Sequence, residues 1–246
     1  MRPWLGLRTL GELNAAAESS GLKTESGRPV RFVAPGEKDA YYEVRVYESG
    51  CVETRADNLH DWLNALAWLA FPRTKARINA LHAAEIPREG GRRGRKRDML
   101  TIFDEGGAIV QCEDEDLLSL IREFRWKELF WDQRGRVKES MRFIVLGHAV
   151  LEQAMQPRPG ITCKAVFAAS GNVDAQVAAS LDAYGSPQDM SPLPVFGYPG
   201  WLAQDEAFYR DVRYFRLRGK MAAGVGQAAA VHNTEESPGS AERDAG

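Results

Sequence analysis

The chain has 246 residues, of which 44% are hydrophobic and 27% charged, and its formal net charge is −2. This composition predicts a globular protein with a full hydrophobic core, and it argues against nucleic-acid binding through overall positive charge. No apolar run is long enough for a membrane helix, the N-terminus lacks a signal-peptide pattern, and the three cysteines lie far apart. We therefore expect a cytoplasmic protein with reduced thiols and no membrane partner.

The N-terminal quarter of the chain predicts short elements. Residues 9–19 have the apolar spacing of an amphipathic helix, and residues 30–33 fit a short strand. Residues 41–55 alternate around Ser49-Gly50, as the two strands of a β-hairpin do.

The next helix is the richest in both apolar and polar side chains. Either Asp57 or Asn58 can cap its N-terminus, and Pro72 ends it and begins another helix over residues 72–86. Helical spacing predicts a core stripe made of Leu59, Leu63, Leu66 and Ala70. The helix also carries the polar residues His60, Asp61 and Asn64. There are two interpretations of these three residues. Either they form part of a functional site, or they are hydrogen-bonded groups that only hold a central helix in place.

The middle of the chain contains a basic segment between apolar ones. Residues 88–97 are predicted to form an exposed loop, because residues 90–97 include no apolar side chain. Residues 100–110 fit a hairpin that turns at Gly106-Gly107, and residues 114–131 fit a helix with acidic residues at its start.

The C-terminal half predicts a buried strand over 141–146, a helix over 149–155, a strand over 161–168 and a helix over 174–181. Three prolines in residues 191–201 predict an irregular surface strap, and residues 219–246 predict a disordered tail. The elements together predict a single α+β domain over residues 1–218. Its small, mostly antiparallel sheet would be built from hairpins, with helices packed on it.

Several segments together resemble a known bacterial family. They are Asn58-x-His60-Asp61-x-x-Asn64-Ala65-Leu66-x-Trp68-Leu69-x-Phe71-Pro72-Arg73-Thr74-Lys75, Arg97-Asp98-x-Leu100-Thr101-x-Phe103-Asp104-Glu105-x-Gly107, Trp126-Lys127-Glu128-Leu129-Phe130-Trp131, Gly147-His148-Ala149 and Ser191-Pro192-Leu193-Pro194. Across about residues 28–218 the chain is similar to the family catalogued as domain of unknown function 3025. The resemblance implies a single soluble bacterial domain, and it assigns no catalytic residue.

Candidate catalytic residues are His60, Asp61, Asp104 and His148. Imidazole and carboxylate groups perform general acid–base chemistry, and they also bind divalent metals that activate water. These residues predict a hydrolase-like enzyme, with metal-assisted phosphoester hydrolysis as one form of the hypothesis. Their spacing matches no recognised metal motif, so the metal is unidentified. A purely structural interpretation is also open for two of them. Acidic residues such as Asp104 are common beside a Gly-Gly turn, and a histidine after glycine, as in Gly147-His148, can simply cap a helix.

The alternative is a non-enzymatic module that binds nucleic acid or protein. Arg92, Arg93, Arg95 and Arg97 can neutralise phosphates, and Arg73 extends such a patch if it lies nearby. Asn64 is a further candidate binding residue. A charged loop more often serves solubility, and a purely structural interaction protein is a third hypothesis.

Overall fold

The computed structural model of the protein describes residue 6 and residues 9–36, 41–202 and 205–218. The tail predicted over residues 219–246 lies outside the described residues. The α-helices are α1 (Leu10–Ser19), α2 (Tyr42–Ser49), α3 (Leu59–Ala70), α4 (Pro72–Glu85), α5 (Arg95–Gly106), α6 (Glu115–Arg122), α7 (Arg134–Ser140), α8 (His148–Gln153) and α9 (Val173–Ser180). The strands are β1 (Arg31–Val33), β2 (Cys51–Glu53), β3 (Gly107–Cys112), β4 (Met141–Val145), β5 (Thr162–Ala168) and β6 (Ser191–Pro194).

The strands form two sheets. Strands β1 and β2 pair in parallel, and the larger sheet has the order β4-β3-β5-β6. In the larger sheet β3 is antiparallel to β4 and parallel to β5, and β5 is antiparallel to β6. The protein therefore has the predicted α+β class, with helices packed on small sheets.

Alternating side chains of β3 divide the core around the larger sheet. Ala108 and Val110 pack with α6, α7 and the C-terminal aromatic residues, whereas Ile109 packs with α4, α5 and α9. All three side chains are fully buried, as expected for a central strand covered by helices on both faces. A third cluster joins α1, α2 and α3 to the two-stranded sheet.

Both predicted hairpins are wrong, because a glycine that can form a hairpin turn can also end a helix. Gly50 (φ 77°) caps the C-terminus of α2. A side chain there would place its Cβ 2.1 Å from the Pro29 carbonyl oxygen, so only glycine fits. In the second case α5 extends through Gly106, and Gly107 (φ −82°) lacks the positive φ that the predicted turn requires.

Three other boundaries differ from the predictions. The arginine segment is not wholly a loop, because α5 begins at Arg95. The helix predicted over residues 114–131 ends at Arg122, followed by Phe124 with a φ of 62°, and a π-helical turn (Glu128–Asp132) lies further on. The predicted surface strap is largely buried, and its first residues form the edge strand β6. Proline has no main-chain N–H to donate. An edge strand tolerates it, because only one side of the strand pairs with a neighbouring strand.

Among the described residues, no helix combines the length and the apolar character needed to cross a membrane.

Candidate active site

A cavity of about 460 Å³ lies where α2, α3, α4, α5 and α8 meet. Its lining includes the four predicted catalytic residues, His60, Asp61, Asp104 and His148, together with Asn64. With His82, three of the protein's four histidines line this cavity. Residues far apart in the chain therefore converge on one concave surface of the size that binds small molecules.

Helix α3 brings His60 and Asn64 to the cavity, and its start is fixed by a cap. The Asn58 side chain accepts a hydrogen bond of 2.9 Å from the main-chain nitrogen of Asp61. The buried side of the helix differs from the predicted leucine stripe, since its buried residues are Ala65, Ala67, Trp68 and Leu69. Leu59 is exposed.

His148 reaches the cavity because the start of α8 lies close to the end of α5. The Gly147 nitrogen donates to the Gly107 carbonyl at 2.9 Å. A Cβ on Gly147 would lie 2.5 Å from the Glu105 carbonyl oxygen and 2.7 Å from the Gly106 Cα. The glycines therefore permit the close approach that sets His148 beside Asp104.

The two histidines form a direct contact at the cavity. Their Nε2 atoms are 3.0 Å apart, and their rings meet edge to face with centroids separated by 4.4 Å. The Nδ1 of His60 lies 3.0 Å from a carboxylate oxygen of Glu152, and the Nδ1 of His148 lies 3.9 Å from a carboxylate oxygen of Asp104. The imidazole pair therefore has a carboxylate at each end.

The protonation of this pair follows from its neighbours. Burial lowers the pKa of His148 to about 4, against the opposing effect of Asp104, so His148 is neutral at pH 7. Because the Glu152 carboxylate can only accept, His60 donates from Nδ1. Which ring donates across the Nε2–Nε2 contact depends on the tautomers of the two rings. The Nδ1 of His148 has no hydrogen-bond partner in the described part of the chain.

Lys75 of α4 connects the histidine pair to Asn64 of α3. Its ammonium, 3% exposed, forms an ion pair with Asp104 and donates to the Asn64 side-chain oxygen at 2.7 Å. Burial is the largest single effect on the pKa of Asp104 and by itself would raise it, but the charge of Lys75, its hydrogen bond and the neighbouring histidines together outweigh burial, and the pKa is lowered. Asn64 in turn donates to Tyr42, whose pKa is raised mainly by burial. We call these contacting side chains the polar network: Tyr42, Asn64, Lys75, Asp104, His148, His60 and Glu152.

With this geometry described, the comparisons with other proteins identify the family. A family model described as a protein of unknown function, DUF3025, matches residues 30–218. The chain belongs to the DUF3025 family. The matched region contains the whole polar network. This DUF3025 chain matches no curated protein and no solved structure.

Asp61 lies beside the polar network of the DUF3025 protein but has a different partner. Its carboxylate binds the Arg55 guanidinium through two hydrogen bonds of 2.7 and 2.9 Å and accepts a third from the Arg55 main chain. The hydrogen bonds from Arg55 lower the pKa of Asp61. This residue is therefore held in a local ion pair with Arg55 at the cavity wall.

The predicted binding arginines do not form one patch in the DUF3025 protein. Arg97 is buried and contacts Glu89 at 2.9 Å, Glu43 at 3.6 Å and His82 at 3.4 Å. Arg93 binds Asp98 and Thr101. Arg92 and Arg95 are exposed, and neither has an ion-pair partner among the described residues.

Arg73 lies away from both sites. It lines a separate groove between the loop after α1 and helix α9, and its main-chain nitrogen donates to Asp174 at 2.9 Å. It therefore extends neither the arginine segment nor the cavity.

Sequence reasoning missed three members of the polar network, namely Glu152, Lys75 and Tyr42. Glu152 follows His148 by four residues, a spacing that places both on one face of α8. Lys75 lies among buried residues of α4, where an unpaired lysine would be costly. Tyr42 had no comparable signal, because its segment was interpreted as a strand.

Within the described ranges, no group of three or more His, Cys, Asp or Glu side chains is arranged to hold a metal ion. The donor set of the cavity therefore does not fit a catalytic metal with three protein ligands. What the arrangement does provide is a contacting imidazole pair beside the Lys75–Asp104 ion pair.

Proposed function

We propose that this DUF3025 protein is a hydrolase that uses the His60–His148 pair for general acid–base catalysis. The observation that carries the proposal is the 3.0 Å contact between the two Nε2 atoms, with a carboxylate at the far end of each ring. The Glu152 and Asp104 carboxylates favour the imidazolium that forms when the pair takes a proton, whereas the burial of His148 opposes it.

The proposed reaction is the addition of water across a polar bond. The histidine pair takes one proton from the attacking water as the new bond to oxygen forms. It then returns this proton to the leaving group as the old bond breaks, so that one water is consumed and the enzyme is regenerated. His60 reaches the substrate, since its side chain is 35% exposed whereas that of His148 is 6% exposed.

Tyr42 and Lys75 have supporting roles in this proposal. Tyr42 lines the cavity, and its phenol is protonated at neutral pH, since burial raises a pKa that is ordinarily already near 10. Because it accepts its hydrogen bond from Asn64, its own hydrogen is available to the oxygen that gains charge during the reaction. Lys75 is a positioning residue that holds Asp104 and Asn64.

The charge of the cavity favours an uncharged ester or amide bond over a phosphoester. Both cations of the lining are already paired, Lys75 with Asp104 and Arg55 with Asp61. A negatively charged phosphoester would lie beside carboxylates, with no free cation in the lining to stabilise its charge. In the described part of the protein, no three-ligand metal site supplies that positive charge either. We therefore rank phosphoester hydrolysis second within the proposed class.

The test is a hydrolysis screen with chromogenic esters, anilides and phosphoesters. We expect turnover of at least one ester or anilide, with His60→Asn and His148→Asn each lowering kcat by about 10²-fold or more. The matched control is Glu139→Gln, an exposed carboxylate outside this cavity, which should retain wild-type kcat. Turnover that is unchanged in both histidine variants would refute the proposal.

The nucleic-acid-binding alternative has less support from the contacts. It depends on four arginines, of which Arg93 and Arg97 are engaged within the protein. Lys96 of the same segment donates to the main-chain carbonyls of Leu181, Asp182 and Tyr184. Two exposed arginines provide few phosphate contacts, so this module would bind weakly and with a shallow salt dependence.

A further inference from the structure

The lining of the cavity carries more negative than positive charge. Five carboxylates line it, and two cations do. The carboxylates are those of Glu43, Glu53, Asp61, Asp104 and Glu105, and the cations are Arg55 and Lys75.

Four of these carboxylates are compensated by neighbouring side chains. The ion pairs are Glu43–Arg97 at 3.6 Å, Glu53–Arg45 at 2.7 Å, Asp61–Arg55 at 2.7 Å and Asp104–Lys75. Glu105 is exposed at the cavity and has no ion pair with any residue in the described ranges. The lining therefore offers one uncompensated negative charge.

A buried acceptor atom of the lining points to a ligand that donates hydrogen bonds. Asn79 is 5% exposed, and its Nδ2 donates to the Glu43 carbonyl at 2.8 Å, which leaves Oδ1 without a donor in the described part of the chain. A buried acceptor without a donor is costly, so the Asn79 oxygen favours a ligand that donates hydrogen bonds.

The remaining lining accommodates the carbon skeleton of such a ligand. Tyr42, Trp68, Val46, Ile78 and Pro35 contribute apolar surface to the cavity. A cavity of about 460 Å³ has room for a molecule of moderate size. Aromatic rings beside carboxylates are a favourable environment for an organic cation.

We infer that the cavity binds a small primary amine in its ammonium form, with Glu105 as the counter-ion and with the buried Asn79 oxygen as a further hydrogen-bond acceptor. This inference rests on the proposed function and names its substrate class: an ester or amide that carries an ammonium group. The bond to be hydrolysed would lie at the histidine pair, with the ammonium at Glu105.

The experiment measures binding of three probes that differ only in their end group. 1-Pentylamine, 1-pentanol and pentanoate are titrated at pH 7.5 and constant ionic strength, with NMR shifts of the tryptophan indole protons as the readout. We expect the amine to bind at least about tenfold more tightly than the alcohol or the acid, a preference of about 1.4 kcal/mol. Glu105→Gln should abolish this preference, and the matched variant Glu48→Gln, an exposed acid outside the cavity, should keep it.

Equal binding of the three probes would overturn the inference, and so would an amine preference that survives in Glu105→Gln. The result separates this inference from the proposed function, because binding is measured without turnover. Amine-selective binding with no hydrolysis of any ester or anilide would refute only the hydrolase. Hydrolysis without amine selectivity would refute only the substrate class.

Discussion

The buried Lys75 and the partly buried Asp104 form an ion pair between α4 and α5, and this pair anchors the polar network. Lys75 is 3% exposed, and the same ammonium also holds Asn64 of α3. Three helices therefore meet at one charged group. Since burying a charge is costly unless it is paired, each partner depends on the other.

Removing the ammonium should therefore destabilise the protein. We expect Lys75→Met to lower the free energy of unfolding by about 3–5 kcal/mol, because it leaves the Asp104 carboxylate unpaired. The double variant Lys75→Met/Asp104→Asn should recover more than half of this loss in urea denaturation. If the double variant is as unstable as the sum of the single variants, the two residues do not interact energetically.

The stability of the protein should depend on pH through two buried histidines. Burial is the main cause that lowers the pKa of both His82 and His148, from 6.5 to about 4. Between pH 6.5 and 4 the unfolded chain binds these protons and the folded protein does not, so stability falls as the pH falls through this window. Each histidine accounts for at most about 3 kcal/mol. The lowered pKa of Asp104 affects stability only below about pH 4.

Urea denaturation at pH 7.5 and pH 5.0 measures this dependence. The matched variant His148→Asn should lose roughly half of the difference between the two pH values, because it removes one of two similar contributions. A wild-type protein equally stable at both pH values would contradict the burial of the two neutral imidazoles.

The arginine segment should separate into structural and surface members. Arg97→Ala should lower Tm by about 5 °C or more, because it leaves Glu89 and His82 without the buried guanidinium that binds them. The double variant Arg92→Ser/Arg95→Ser serves as the control and should keep the wild-type Tm, since both side chains are exposed. A large loss of Tm in this control would show that those two arginines have structural partners.

The close approach at Gly147 should be visible as a stability difference between two glycines. Gly147→Ala places a Cβ 2.5 Å from the Glu105 carbonyl oxygen and should cost about 1–3 kcal/mol. Gly135→Ala, in helix α7 with no atom within 4 Å of the new Cβ, should be neutral or stabilising by up to about 1 kcal/mol. Equal effects of the two substitutions in thermal denaturation would contradict the described contact between α5 and α8.

Local signals in the sequence were sufficient where one residue decides the backbone. Asn58 predicts the start of α3 because its side chain satisfies a free main-chain donor, and Pro72 begins α4 because its fixed φ suits a first turn. The family resemblance and the α+β class also followed from the sequence. Residues that line the cavity, such as His60 and His148, could also be identified from the sequence. A polar side chain in an apolar segment is costly to bury without a hydrogen-bond partner, so such residues are candidates for a polar site.

Tertiary structure decided the features that depend on residues far apart in the chain. Glycines at 50 and 106–107 are compatible with a hairpin or with a helix end, and packing against neighbouring segments selects the helix. Arg97 has the sequence context of a surface charge, yet Glu43, Glu89 and His82 surround it in space. The His60–His148 contact joins two residues that are 88 positions apart in the chain, and no local propensity specifies such a contact. Only the packing of α3 against α8 brings the two imidazoles together, because contacts between helices form irrespective of their separation in sequence.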